Sequence, residues 1–478
     1  MGGKRGDEIV TSMPGERFTP FTLAKKLGAK AILESASFKQ GRERYSLILV
    51  DEAFRVRQDA GGVSFVVGAS SYPWKIPADL ETAGRVPDIL DALACIAAQN
   101  EGAAGGLPIP ASGIGFFGYD FVRRCDKVRI ASKPDSIGVP EAEFIVGHLY
   151  IVFDHYTDTL HVVGLNYAEH EVDLAARTAE LRKRLADLDF SYLAAPADAV
   201  PFRIVSDEDA DRLSYMAGVE KIREHIIAGD LLQAVLSRRL MAESALEPLE
   251  GYRRLRSASP SPYLFYIDFG TYVLLGASPE SLVRLRDGVA SIRPIAGTRR
   301  RGKDADEDVL LEKELAADPK ERAEHLMLVD LARNDLGRVC APGSVVVTKS
   351  MEPERFSHVI HLVSEVEGKP AAGKSPYDLL RAAFPAGTVS GAPKIRAMEI
   401  VSELERFDRS FYAGAVGYLD AHGGFDTCIA IRSALVKDGK WNLQAGAGIV
   451  YASKPEREWE ETNEKLAALR AALAGGSR

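Results

Sequence analysis

The chain has 478 residues but only four cysteines. Cys95, Cys125, Cys340 and Cys428 stand far apart, without metal-ligand spacing, so reduced structural thiols are expected rather than a disulfide framework. No apolar run is long enough to span a bilayer. The opening MGGKRGDEIVTSMPGERF lacks both the apolar core of a secretory signal and the Ser/Thr pattern of a lipidation site. Positive charge is not in excess: Lys plus Arg is 60 against 68 for Asp plus Glu, a formal charge of -8. That balance predicts no affinity for nucleic acid or for an anionic membrane, and a cytoplasmic location follows as the default. There is no internal repeat, no G-x-x-x-x-G-K-[ST], no G-x-G-x-x-G opening a βαβ unit and no Gly-x-Ser-x-Gly elbow, since Val389-Ser390-Gly391 lacks the first glycine.

What is present is an ordinary globular composition, 46% hydrophobic and 27% charged, in a chain longer than one typical core. The first eighteen residues read as a lightly held arm, followed by a short helix near Thr22 to Lys30. Strands are expected in Gly41 to Val50 and, as a pair turning near His155 to Thr159, in Phe144 to Leu165. Residues 78 to 99 and Val172 to Leu188 carry helical patterns. The Ala/Pro segment Ala194 to Pro201 then divides an N-terminal region, 1–200, from a second region, 201–478. In the second region a helix opens with capping-box-like Ser206 and Asp209 and runs to about Ala228. LLQAVLSRRL reads as a strand or mixed element, Asp318 to Gly337 as a helix, TCIAIRSALV as a strand and Pro455 to Leu473 as a final helix. Short strands mixed with helices, without βαβ spacing, predict an α+β fold.

Several residues suggest chemistry. FPAGTVSGAPKIRAMEI, Phe384 to Ile400, turns through glycine and proline into a helix start, where free N–H groups and a positive dipole end receive anions; an ordinary capped turn is the competing reading. Glu321 and Glu324 share one helix face and Glu458 and Glu461 another. They read as solvated faces unless the helices meet across one cleft, where oxygen-only ligands suit Mg²⁺. His361, in HVIHLVSEV, is a packing residue or a proton carrier near neutral pH. Glu280, after GASP, is an exposed turn carboxylate or, if buried, a general acid. Arg432 lies in an apolar pattern, where an unpaired guanidinium is costly and a carboxylate partner resolves the cost. Gly446 and Gly448 permit close backbone approach or a bulge.

In this order, GASPESLVRL, RPIAGTRRRG, AEHLMLVDLARNDLGRV, HVIHLVSEVEG, FPAGTVSGAPKIRAMEI, DTCIAIRSAL and QAGAGIVYASKPEREWEET resemble the chorismate-utilising enzyme family, most closely its anthranilate-forming branch. The match covers the second half strongly and the first half at scattered motifs. It implies large antiparallel β-sheets flanked by helices, the anthranilate synthase component I or chorismate-binding fold, with region 201–478 catalytic and region 1–200 regulatory and structural. It implies Mg²⁺ held by Glu324 and Glu458 with Glu321 and Glu461 in support. Thr388 would meet the ring carboxylate, with Gly387, Ser390, Gly391 and Ala392 shaping that wall. Tyr412, Arg432, Gly446 and Gly448 would hold the enolpyruvyl carboxylate, Glu280 would be the general acid, and His361 the nearby imidazole. Gln233 stands where water-adding relatives carry lysine. Ala296, in the PIAGT segment that ends at Thr298, stands where aminodeoxychorismate-forming relatives often carry lysine. Both favour anthranilate formation from chorismate and ammonia, with pyruvate eliminated. An aminodeoxychorismate synthase component, a water-using isochorismate synthase and a silent tryptophan-sensing subunit are the alternatives. The resemblance further implies a separate glutamine amidotransferase subunit, in an assembly such as a heterotetramer. It also implies a feedback site for L-tryptophan at Glu34, Ser35 and Ser46 with Pro262 and Tyr263 of the 259–266 segment.

Overall fold

The computed structural model describes residues 7–36, 44–81, 85–131, 133, 137–187, 200–356 and 359–474. The Ala194–Pro201 divider falls almost wholly outside them. Strands and helices alternate irregularly, and every strand pairing among the described residues is antiparallel, so the α+β layout expected from the sequence is observed. The strands join edge to edge into one hydrogen-bonded network that crosses the chain's midpoint. Leu264 of strand Tyr263–Asp268 pairs with Glu34, and Val416 of Ala415–Leu419 pairs with Phe116.

Two large apolar cores follow from the two faces of these strands. Ala142–Asp154 is buried along its whole length, as a strand covered on both sides should be. Its alternate residues divide between the cores: Phe144, Val146 and Tyr150 enter one, Leu149, Ile151 and Phe153 the other. Trp441, fully buried, fills the second core beside Tyr252 and Leu473. Gly251 makes that possible, because a Cβ there would lie 2.5 Å from the indole.

The structure corrects four local expectations. The presumed arm contains strand Glu8–Pro14, which pairs residue by residue with Thr159–Leu165 and alternates exposed and half-buried positions, as an edge strand does. The 78–99 pattern resolves into Ala78–Glu81 and Ile89–Gln99, the second with its own Asp88–Asp91 capping box. The helix after the divider, Glu208–Ile227, is capped by Asp207, which accepts from Ala210 N–H, while the Ser206 hydroxyl instead accepts from Met241 N–H at 2.6 Å. TCIAIRSALV is two strands, Phe425–Ile429 and Ser433–Lys437, broken at Arg432, whose φ is 50°.

The helix Pro319–Gly337 starts with proline at its first position, and Asp318 accepts from the N–H groups of Lys320 and Glu321. Pro455–Ala474 also begins with proline. The two helices carry the acidic pairs.

Candidate active site

Strand Gln233–Glu243 is the floor on which the site is assembled. It pairs on one side with Lys440–Ile449, setting Val235 opposite Gly448 and Ser237 opposite Gly446. At its start it meets Gly391–Ala392, so that Gln233 faces Ala392. The turn of Phe384 to Ala392 is thus tied into the sheet rather than left as a free loop. Its backbone carbonyls do the tying: Ser390 accepts from Val235 N–H at 2.9 Å and Ala392 from Leu232 N–H at 2.7 Å. Gly391, at φ 148°, admits no side chain, since a Cβ would lie 2.3 Å from the Gln233 carbonyl. The Ser390 hydroxyl donates within the turn to Ala386 O, so it shapes the wall rather than facing outward. Arg409, which the sequence reading passed over, braces the turn from behind. Its guanidinium donates to Val389 O and Val235 O and pairs with Glu405, and Glu405 in turn accepts from Ser237 N–H.

Glu280 follows strand Val273–Ser278. Its N–H donates to Ser278 Oγ and its carbonyl accepts from Ile429 N–H. Burial pushes its carboxyl up to about 7, partly offset by the Thr388 hydroxyl and by the Arg432 and Lys465 cations. No hydrogen bond of ordinary geometry closes on Thr388: its Oγ1 is buried and has no partner among the described residues. A buried hydroxyl left without a protein partner is a group positioned for a ligand.

Arg432 occupies the left-handed kink between its two strands, and its carbonyl accepts from Ala277 N–H. Burial lowers its pKa, while Tyr412, Glu280 and Glu461 oppose that shift. Tyr412 is buried beside Gly446, where a Cβ would stand 3.2 Å from its hydroxyl. Burial pushes the Tyr412 phenol up to about 12. Lys465 completes this group and was missed in the sequence. It donates to Gly446 O at 2.8 Å and pairs with Glu461 at 2.7 Å, and burial lowers its pKa. Its signal was there, one helical turn after Glu461 and on the same face.

His361, on strand Val359–Gly368, lies 2.9 Å through Nδ1 from Gly297 O and 3.2 Å from Thr298 Oγ1. The carbonyl can only accept, so the Nδ1–H tautomer is favoured, leaving the Nε2 lone pair available. Burial and the charge of Arg432 lower its pKa despite that hydrogen bond. Ala296 pairs with Leu362 on the same two strands, and Thr298 is exposed.

The acidic helices meet electrostatically. Burial raises the Glu324 pKa; Lys320 opposes the rise, and Glu321 and Glu461 add to it. Burial also raises Glu458, which Ser453 and the Lys465 and Lys320 cations hold down and Glu461 pushes up. Glu321 is drawn aside by Arg299 at 3.3 Å, whereas Lys320 approaches Glu324 at 3.7 Å. Among the described residues no three acid, histidine or cysteine side chains already converge on one point. The donor set is nevertheless oxygen-only and mutually repulsive, which fits a hard divalent cation completed by substrate oxygens.

A separate cavity of about 410 Å³ takes in Glu34, Ser35, Pro262 and Tyr263. The Glu34 carboxylate is held by Tyr252 Oη at 2.7 Å and Arg256 Nε at 2.8 Å. The Ser35 hydroxyl is buried and has no partner among the described residues. Ser46 does not line the cavity: fully buried, it pairs with His155 Nε2 at 2.8 Å.

The model of the chorismate binding enzyme family matches residues 67–471. Anthranilate synthase component 1 of Spirochaeta aurantia is 52% identical over 466 residues, covering 97% of this chain and 94% of the relative. That of Aquifex aeolicus is 39% identical, also covering 97% and 94%. The crystal structure of anthranilate synthase component I from Streptococcus pneumoniae superposes with a TM-score of 0.76 at 36% identity, over 90% of this chain and 92% of that one. The isochorismate synthase MenF of Escherichia coli, 20% identical, shares the fold with a TM-score of 0.71. The chain belongs to the chorismate-binding enzyme family. Within that family it falls with the anthranilate synthase component I proteins. No helix among the described residues is long and apolar enough to cross a membrane.

Proposed function

We infer that the chain is the synthase component that converts chorismate and ammonia to anthranilate and pyruvate in tryptophan biosynthesis. The single observation that carries this is Glu280: a buried acid with a pKa near 7, beside an unpartnered Thr388 hydroxyl and within the field of Arg432. Arg432, Tyr412 and the backbone at Gly446 and Gly448 hold the enolpyruvyl carboxylate. Thr388 orients the ring carboxylate. Glu280, which burial keeps about half-protonated at pH 7, gives its proton to the departing 4-hydroxyl as ammonia adds at ring carbon 2. The unprotonated His361 Nε2 is suited to receive a ring proton as pyruvate leaves and the ring aromatises. Gln233, an amide, cannot deprotonate water, which supports amination over hydration. Glu324 and Glu458 would hold Mg²⁺, with Glu321 and Glu461 in support; when bound, the ion neutralises substrate carboxylate charge. Ammonia is supplied by a separate glutamine amidotransferase subunit. The 410 Å³ cavity is a site for L-tryptophan, supported by its apolar Pro262 and Tyr263 wall and its buried Ser35 hydroxyl.

The test is to supply purified chain with chorismate, Mg²⁺ and excess ammonium, follow anthranilate fluorescence and identify the product by mass. Anthranilate with equimolar pyruvate is expected. Aminodeoxychorismate as sole product overturns the assignment, and tryptophan binding without turnover makes the chain a sensor.

A further inference from the structure

The helix Pro319–Gly337 carries Glu321 and Glu324, and the strand Val359–Gly368 carries His361. A buried side-chain hydrogen bond joins them: His325 Nε2 lies 2.7 Å from Ser364 Oγ, both residues having no exposed surface. His325 directly follows Glu324, and Ser364 is three residues beyond His361. The same Ser364 oxygen accepts from Met351 N–H at 2.9 Å. Met351 is in the left-handed region, φ 52°, where the pairing of Val346–Arg355 with this strand slips between Lys349 and Glu352. Ser364 therefore plugs an irregularity in the sheet and offers the helix a polar anchor at the same point. The N-terminal end of the helix has its own tether, Arg299 bound to Asp318 and Glu321. His325 Nδ1 has no partner among the described residues, so the ring is anchored there through its contact with Ser364.

We propose that the His325–Ser364 hydrogen bond is a positioning contact, fixing the height of the Glu321/Glu324 carboxylates relative to His361. The proposal rests on reading Glu324 as a metal ligand. Helix and strand pack through apolar side chains that permit small slides, whereas one directional bond between two buried polar groups permits one register.

The experiment compares His325→Gln, Ser364→Ala, Ser364→Thr and the double variant His325→Gln/Ser364→Ala in the full chain. Folding is checked by circular dichroism, Mn²⁺ binding by electron paramagnetic resonance, and kcat and KM in the ammonium assay. Mn²⁺ affinity is expected to fall about 10-fold in each of His325→Gln and Ser364→Ala. The KM for chorismate should rise more than kcat falls. Ser364→Thr, which keeps the hydroxyl, should stay within about two-fold of wild type, and the double variant should be no worse than the poorer single one. Unchanged Mn²⁺ affinity in folded variants overturns the proposal, as do losses that multiply in the double variant. Glu324→Gln serves as the reference: if it leaves Mn²⁺ binding intact, the metal-ligand reading itself fails, and the proposal with it.

Discussion

The side-chain amide of Gln233 occupies the space that a side chain at position 448 would need: a Cβ on Gly448 would lie 2.6 Å from Gln233 Nε2. The absence of a side chain on one strand therefore sets the position of the amide on its neighbour. Gly448→Ala should displace the amide into the wall proposed to bind the substrate carboxylate, without disturbing the buried core. A displacement near 1 Å in such a site costs on the order of 100-fold in kcat/KM. Steady-state kinetics beside an unchanged thermal melt is the measurement, and wild-type kcat/KM in Gly448→Ala would remove Gln233 from the site.

Glu280 ties activity to stability with opposite signs. Its carboxyl rises from 4.5 to about 7 on folding, so the folded chain binds the extra proton between those values. Stability contributed by this group is therefore greatest below about 4.5, declines as pH rises to 7, and the full penalty of the buried charge applies above 7. Glu280→Gln should be more stable than wild type at pH 8, by about 3 kcal/mol at most. Turnover should fall by roughly 100-fold or more. The wild-type rate should also lose activity on an alkaline limb with a midpoint at or above 7, since a bound dianion raises the pKa further. That limb should vanish in the variant, as read from kcat against pH; an identical profile would assign the proton to another group.

Metal removal gives a separate outcome. Chelation with excess EDTA should abolish anthranilate formation reversibly. Glu324→Gln should raise the Mg²⁺ concentration for half-maximal rate by at least about 10-fold, the scale that even outer contacts of a metal produce. A melt checks that the fold is retained, and normal Mg²⁺ dependence would refute the ligand role.

At the cavity proposed for L-tryptophan, Ser35→Phe should fill space beside Tyr263 and weaken tryptophan inhibition by at least about 10-fold, equivalent to about 1.4 kcal/mol of binding. Isothermal titration with L-tryptophan, run beside inhibition curves, measures both affinity and effect. Unchanged binding would place the effector elsewhere.

How much of this was legible depends on the range of the interaction. Local chemistry wrote itself into the sequence: Pro319 after Asp318 starts a helix, the Glu321/Glu324 and Glu458/Glu461 spacings define faces, and the apolar, β-branched run in Thr159 to Leu165 makes a strand. Partner choice did not. Glu8–Pro14 becomes a strand because a matching edge exists some 150 residues later. Ser206 has the spacing of a cap with Asp209, but the adjacent Asp207 takes that task and Met241 N–H, distant in sequence, claims the serine. Lys465 has the ordinary look of a solvated helix lysine, and only the Gly446 carbonyl brought beneath it shows otherwise. The tryptophan site implied at Glu34 gave no sign of Tyr252 and Arg256, which hold that carboxylate in the fold.

The backbone at Arg432 places local comfort and chemistry in conflict. A residue with a branched or long side chain at φ 50° costs of order 1 kcal/mol, and glycine or asparagine would sit there more easily. The costs of confining the guanidinium and bending the chain are both borne at the point where the proposed reaction places a substrate carboxylate. Selection for thermal endurance alone would therefore work against this arginine: Arg432→Gly or Arg432→Asn should be sturdier at the kink and, on the proposed function, poorer at holding chorismate.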